Sequence, residues 1–176
     1  TDSPHYYKDA LNQESSTSFV NRLLKNLENL IIKEGAENIP AMILEPIQGA
    51  GGVIIPPDNY LKGVQSLLKK NDILLIVDEV ICGFGRTGKM FGCDTFNIKP
   101  DMMVIAKGLS SGYVPISALL INDEIYDAIS DYSSINNVFG HGYTYSGHPV
   151  AAAVALETIK IFKDENIIGH VQHISE

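Results

Sequence analysis

"ILLIVDEVICGFGRTGKM", from Ile73 to Met90, decides what kind of protein this is, because it reads as a nucleotide site in three ways. "ILLIVDE" is an apolar strand ending in acids, as in a Walker B segment. "GFGRTG" fits the dinucleotide pattern G-x-G-x-x-G, and "GFGRTGKM" misses the P-loop pattern only at Met90. The dinucleotide pattern needs its glycines directly after a strand and opening a helix, so that pyrophosphate meets free backbone N–H groups. Here "DEVIC" intervenes, and the following "KMFGCDTFNIKP" has no helical periodicity and carries Gly92 and Pro100. The P-loop reading fails on chemistry, since Met90 has no hydroxyl for Mg²⁺ and the acid precedes the loop. What remains is Asp78, at the end of a buried strand and followed by a glycine-rich turn.

The segments on either side supply the rest of an alternating pattern. "STSFVNRLLKNLENLIIKEGAEN" places Phe19, Leu23, Leu24, Leu27, Leu30 and Ile31 at helical spacing, and Gly35 ends the run. "IPAMILEP" is a short buried strand closed by Pro46, and "IQGAGGVIIPPDNY" a glycine- and proline-rich loop. Asp58 is placed to cap a helix through "NYLKGVQSLLKKN". "KPDMMVIAK" and "ISALLIND" read as strands; "DEIYDAIS" and "HPVAAAVALETIKIFKDE" read as helices. This order predicts an α/β domain with a largely parallel sheet covered by helices. Ligands of such sheets gather beyond the carboxyl ends of the strands. Lys107 follows the strand "DMMVIA", so it and Asp78 can meet over one ligand. Flanked by Ala106 and Gly108, Lys107 can be partly desolvated, the setting in which a neutral amine serves as nucleophile. A plain Asp–Lys salt bridge at the sheet edge explains the spacing equally well.

Composition narrows the function classes. The chain has 176 residues, 45% apolar and 19% charged, which suits one domain with a real core. A net charge of −8 without a Lys/Arg cluster argues against a nucleic-acid surface. No apolar run reaches membrane-spanning length, and no basic-then-apolar signal opens the chain, so the expectation is a soluble, cytoplasmic protein with no membrane partner. Cys82 and Cys93 match no common zinc spacing, and the histidines include no H-E-x-x-H arrangement, so no metal is expected. The chain lacks an initiator Met, and "NIIGHVQHISE" stops within an apolar-periodic pattern, as in a piece of a longer protein.

Taken in order, "EPIQGAGGVIIPP", "VDEVICGFGRTG", "AKGLSSGYVPISALL" and "FGHGYTYSGHPVAAAVAL" resemble the class III aminotransferases, which use pyridoxal 5'-phosphate on the fold-type-I scaffold. The similarity runs from "DSPHYY" to the final helix. It implies that residues 1–176 are a single cofactor-binding portion of the large domain, with the phosphate-cradling loop before it and the small domain after it. By that resemblance Lys107 would hold the cofactor aldehyde as a Schiff base and then shuttle protons. Asp78 would pair with the protonated pyridine nitrogen and keep the ring an electron acceptor. Val80, two residues on in an extended chain, would pack on the ring face. Thr144 would bond the cofactor phosphate in the neighbouring subunit, which implies a homodimer; read by itself it is a loop threonine capping its own backbone. Where ornithine-type members carry a glutamate, this chain has Ala50. That resembles the ω-transaminase branch, which moves amino groups between amines or ω-amino acids and pyruvate. The alternatives are another class III activity (4-aminobutyrate or diaminopelargonate transaminase, or an aminomutase) and a non-catalytic relative. The stretch by itself is expected to bind cofactor weakly and not to transaminate.

Overall fold

A computed structural model describes residues 1–136 and 138–175. After a single helical turn, α1 (Tyr6–Asp9), comes the long helix α2 (Ser16–Glu34). The Ser15 hydroxyl accepts the Ser18 N–H at 3.2 Å to start it, and Gly35 ends it at a φ of 81°. Phe19, Leu23, Leu27 and Ile31 repeat every fourth residue on the buried stripe. Strand β1 (Ala41–Leu44) then leads through the glycine-rich loop to α3 (Tyr60–Lys70). Its first turn is set by Asn59 in the left-handed region, not by a side-chain cap from Asp58. Strand β2 (Leu74–Asp78), the short helix α4 (Gly92–Phe96) and strand β3 (Met102–Ile105) follow. A 3₁₀ turn, Lys107–Ser110, precedes strand β4 (Ala118–Ile121). Helices α5 (Asp123–Asn136), α6 (Pro149–Asp164) and α7 (Ile167–Ile174) complete the order.

The strands form one sheet in the order β1-β2-β3-β4. The first two pairings are parallel, with Leu44 opposite Val77 and Asp78 opposite Val104. The last is antiparallel, with Met103 opposite Leu120. The α/β expectation holds, and the antiparallel return has a simple cause. A parallel crossover needs a helix to carry the chain back, and between β3 and β4 there is only the Lys107 turn and a loop. Asp101 fastens the opposite end of this sheet. One carboxylate oxygen accepts the Leu75 N–H at 2.8 Å, and the other accepts the Asn122 side-chain amide at 3.2 Å.

Leu75 and Val77 point from β2 into a core built with Phe19, Leu23, Leu27 and Ile31 of α2 and Val64 and Leu68 of α3. The other sheet face is more open, since Ile43 is 60% and Leu119 57% exposed. A second, smaller cluster of Ile105, Leu109 and Ala155 joins the end of β3 to α6, with Phe84 and Phe91 against it.

Candidate active site

Strand order brings the two central residues to one end of the sheet. Asp78 is the last residue of β2 and pairs with Val104; Lys107 lies three residues beyond Val104, on the neighbouring parallel strand's exit. Asp78 Oδ1 accepts the Val80 N–H at 2.9 Å, a local side-chain turn that ends the strand. Its Oδ2 bonds no group among the described residues. Neither Asp78 nor Lys107 takes part in an ion pair among the described residues, so the edge salt bridge is absent there.

Two details differ from expectation. Lys107 is exposed among the described residues, not desolvated. Val80 does not share a side of an extended chain with Asp78, because the strand stops at Asp78 and the backbone turns at Val80. Val80 is half-buried.

The glycine-rich loop has a mechanical task. Phe84 stands at a φ of 59°, and its N–H donates to the Met90 carbonyl at 2.7 Å. A Cβ placed on Gly108 would lie 2.7 Å from the Phe84 Cβ, so the residue after Lys107 must be glycine for the loop to approach. Phe91 and Phe162 meet the Phe84 ring edge-on, each at 5.9 Å between centroids. Gly85 lies close to Ile168, and the Gly88 carbonyl accepts from the Gln172 side chain at 2.7 Å. These glycines admit protein, and no phosphate-cradling helix opens from them.

Glu79 was not singled out from the sequence, and it is fully buried. Its Oε2 accepts the Gly92 N–H at 2.9 Å and its Oε1 the Cys93 N–H at 2.6 Å. It thereby satisfies the free donors of α4, which is how a helix forms where the sequence shows no periodicity. The signal was available: Leu75, Val77 and Glu79 are in phase on the core side of β2. Burial pushes the Glu79 carboxyl above the ordinary carboxylate range, against the downward pull of those two N–H groups. Burial and the adjacent Glu79 push the Cys93 thiol up to about 12, and burial raises the Cys82 thiol also. Both cysteines are free and buried, and neither has the thiolate character of a nucleophile.

Thr144 lies on an exposed turn in which the Tyr143 N–H donates to the Ser146 hydroxyl at 3.0 Å. Backbone capping therefore falls to Ser146, and the Thr144 hydroxyl has no partner among the described residues. The turn borders a surface cavity shared with Val114 and Ile116, on the segment that follows the Lys107 turn. Ala50 is exposed at the tip of the loop closed by the Gln48–Ile54 bridge. The nearby Glu45 carboxylate accepts the Gly49 N–H at 2.9 Å.

Residues 3–176 match the family described as aminotransferase class-III. A relative from Solanum lycopersicum named gamma aminobutyrate transaminase 3, chloroplastic, is 57% identical over 175 residues, 99% of this chain and 34% of its own length. One from Oryza sativa subsp. indica, named probable gamma-aminobutyrate transaminase 3, mitochondrial, has the same identity and the same shares of the two chains. Among solved structures, the omega transaminase from Pseudomonas jessenii in complex with PMP superposes with a TM-score of 0.94. It is 54% identical, over 96% of this chain and 37% of that one. The chain thus spans about a third of the length of the curated relatives it matches. The cytoplasmic expectation is corrected here, because these curated relatives are named for the chloroplast and the mitochondrion.

Proposed function

This chain belongs to the class III aminotransferases, and we propose that it is the cofactor-binding stretch of an enzyme moving an amino group from an amine or ω-amino acid to pyruvate or a similar keto acid. The observation that carries the reading is the placement of Asp78 and Lys107 on adjacent strand ends with no ion pair between them. The family's cofactor is pyridoxal 5'-phosphate, which when bound supplies an electron sink for a carbanion at the substrate carbon. The residues present fit that group. Asp78 keeps one carboxylate oxygen free of partners among the described residues, and its charge would favour a protonated ring nitrogen. Lys107 offers an amine unpaired among the described residues as the covalent attachment point and, once released, as the base and acid that moves a proton at its Nζ. Val80 closes the Asp78 turn, and from there its side chain would pack against the ring. The free hydroxyl of Thr144 suits a phosphate oxygen, and in a homodimer that phosphate belongs to the partner's site.

Residues 1–176 would then be one continuous portion of the large domain. The names of the relatives and of the solved structure support an ω-amino donor, and 4-aminobutyrate is the first to try. Borohydride treatment of the full-length, cofactor-loaded protein should attach the cofactor to Lys107, and a side-by-side donor screen should find turnover with amines or ω-amino acids. An adduct on another lysine would overturn the site, whereas turnover with none of these donors would overturn the reaction.

A further inference from the structure

We propose that Phe84 is a positioning residue for Lys107, an inference that rests on the reading of Lys107 as the attachment lysine. Lys107 has a φ of 41°, in the left-handed region that L side chains rarely adopt. Such a conformation persists only where the surroundings over-determine it. On one side the turn is held by Leu109, buried with Ile105 and Ala155 of α6. On the other side stands Phe84, whose Cβ, Cγ and Cδ2 all lie within 2.9 Å of where a Gly108 side chain would begin.

Phe84 is itself fixed. The Gly83 N–H donates to the Glu79 carbonyl at 2.9 Å, and the Phe84 N–H to Met90 at 2.7 Å. The Glu79 carboxylate ties Gly92 and Cys93 to the base of the same loop. Phe91 and Phe162 flank the ring. The strand that ends in Asp78 is therefore mechanically connected, through this loop, to the backbone of Lys107. Gly108 has no left-handed φ of its own, so its lack of a side chain serves the Phe84 contact. An exposed lysine has many rotamers, and a backbone fixed on both sides limits where its amine can go. Misplacing a reacting group by about 1 Å costs on the order of a hundredfold in rate, which makes this clamp functional as well as structural.

The test uses the full-length protein with Phe84→Ala, Phe84→Leu and, as the conservative variant, Phe84→Tyr. Amide exchange is followed without cofactor, and the pH midpoint of the cofactor's absorbance is followed with it. For Phe84→Ala, exchange at residues 107–111 should rise about tenfold while β1 and β2 stay protected. The absorbance midpoint should move by on the order of half a pH unit, since the amine sits differently against its neighbours. kcat should fall roughly tenfold or more with KM little changed, the signature of a lost transition-state arrangement. Phe84→Tyr should restore all three. If Phe84→Ala does not fold, Phe84→Leu and Gly108→Ala press the same contact from its two sides and are read in the same way. A folded variant with unchanged exchange and midpoint, its borohydride adduct still on Lys107, overturns the positioning role. An adduct on a different lysine in the wild type overturns the Lys107 reading instead.

Discussion

Asp78 divides its carboxylate between two tasks, one oxygen closing the turn onto Val80 and the other left free among the described residues. Asparagine keeps an acceptor for the Val80 N–H, so Asp78→Asn should fold normally. It cannot carry the negative charge that favours a protonated ring nitrogen. In the full-length enzyme we expect cofactor still to bind and turnover to fall by about a hundredfold or more, the usual size for losing one charge-stabilising group. Near-normal kcat in a cofactor-loaded Asp78→Asn enzyme would remove that role. Thr144 offers the converse case, a hydroxyl with no partner to lose among the described residues. A hydrogen bond to a charged acceptor is worth about 1.5–3 kcal/mol, so Thr144→Val should weaken cofactor binding roughly tenfold or more at unchanged melting temperature. Equal retention of cofactor by variant and wild type on dialysis would argue against a phosphate contact.

The loop from Glu79 to Cys93 is the element that sequence patterns describe least well. Periodicity located α2 and α3, which have buried stripes, and short apolar runs bounded by turn residues located all four strands, of which β2 alternates buried and half-buried residues. Periodicity could not show α4, whose existence depends on a carboxylate thirteen residues upstream, nor the turn at Val80, which a local side-chain bond creates. The placement of Asp78 and Lys107 at neighbouring strand ends was legible from the apolar runs before them; the approach of Phe84 to Gly108 was not, because it joins residues twenty-four positions apart. Glu79 gives this loop a dependence on pH. Its carboxyl holds a proton more firmly in the folded protein than in the unfolded chain, where the value is near 4.5. The resulting stabilisation is complete below about 4.5 and is lost as pH rises through the folded value. Glu79→Gln removes the titration and sets an amide donor against a backbone N–H, costing roughly 1–3 kcal/mol. The wild type's advantage over that variant in thermal unfolding should therefore shrink as pH rises. A constant difference across the range would contradict the burial of an ionisable group there.

At the scale of the molecule, the chain spans about a third of its curated relatives' length. The proposed donor class turns on Ala50, which sits at the exposed tip of the glycine-rich loop where Glu45 accepts the Gly49 N–H. We expect 4-aminobutyrate or a simple amine with pyruvate to outperform ornithine with 2-oxoglutarate in the full-length enzyme. The opposite preference would reject the branch while leaving the family untouched. The sheet order has a different consequence, for how the protein is made. Among the described residues its strands lie side by side in the order in which a ribosome delivers them, so each pairs with the strand made just before it. Loop closure is costliest for distant pairings, and every ladder among the described residues joins consecutive strands. Assembly can therefore keep pace with synthesis, β1 and β2 zipping first and β4 adding last. Pulse-labelled amides of β4 should accordingly become protected no earlier than those of β2, and the reverse order would show that the antiparallel strand is ordered before the parallel pair.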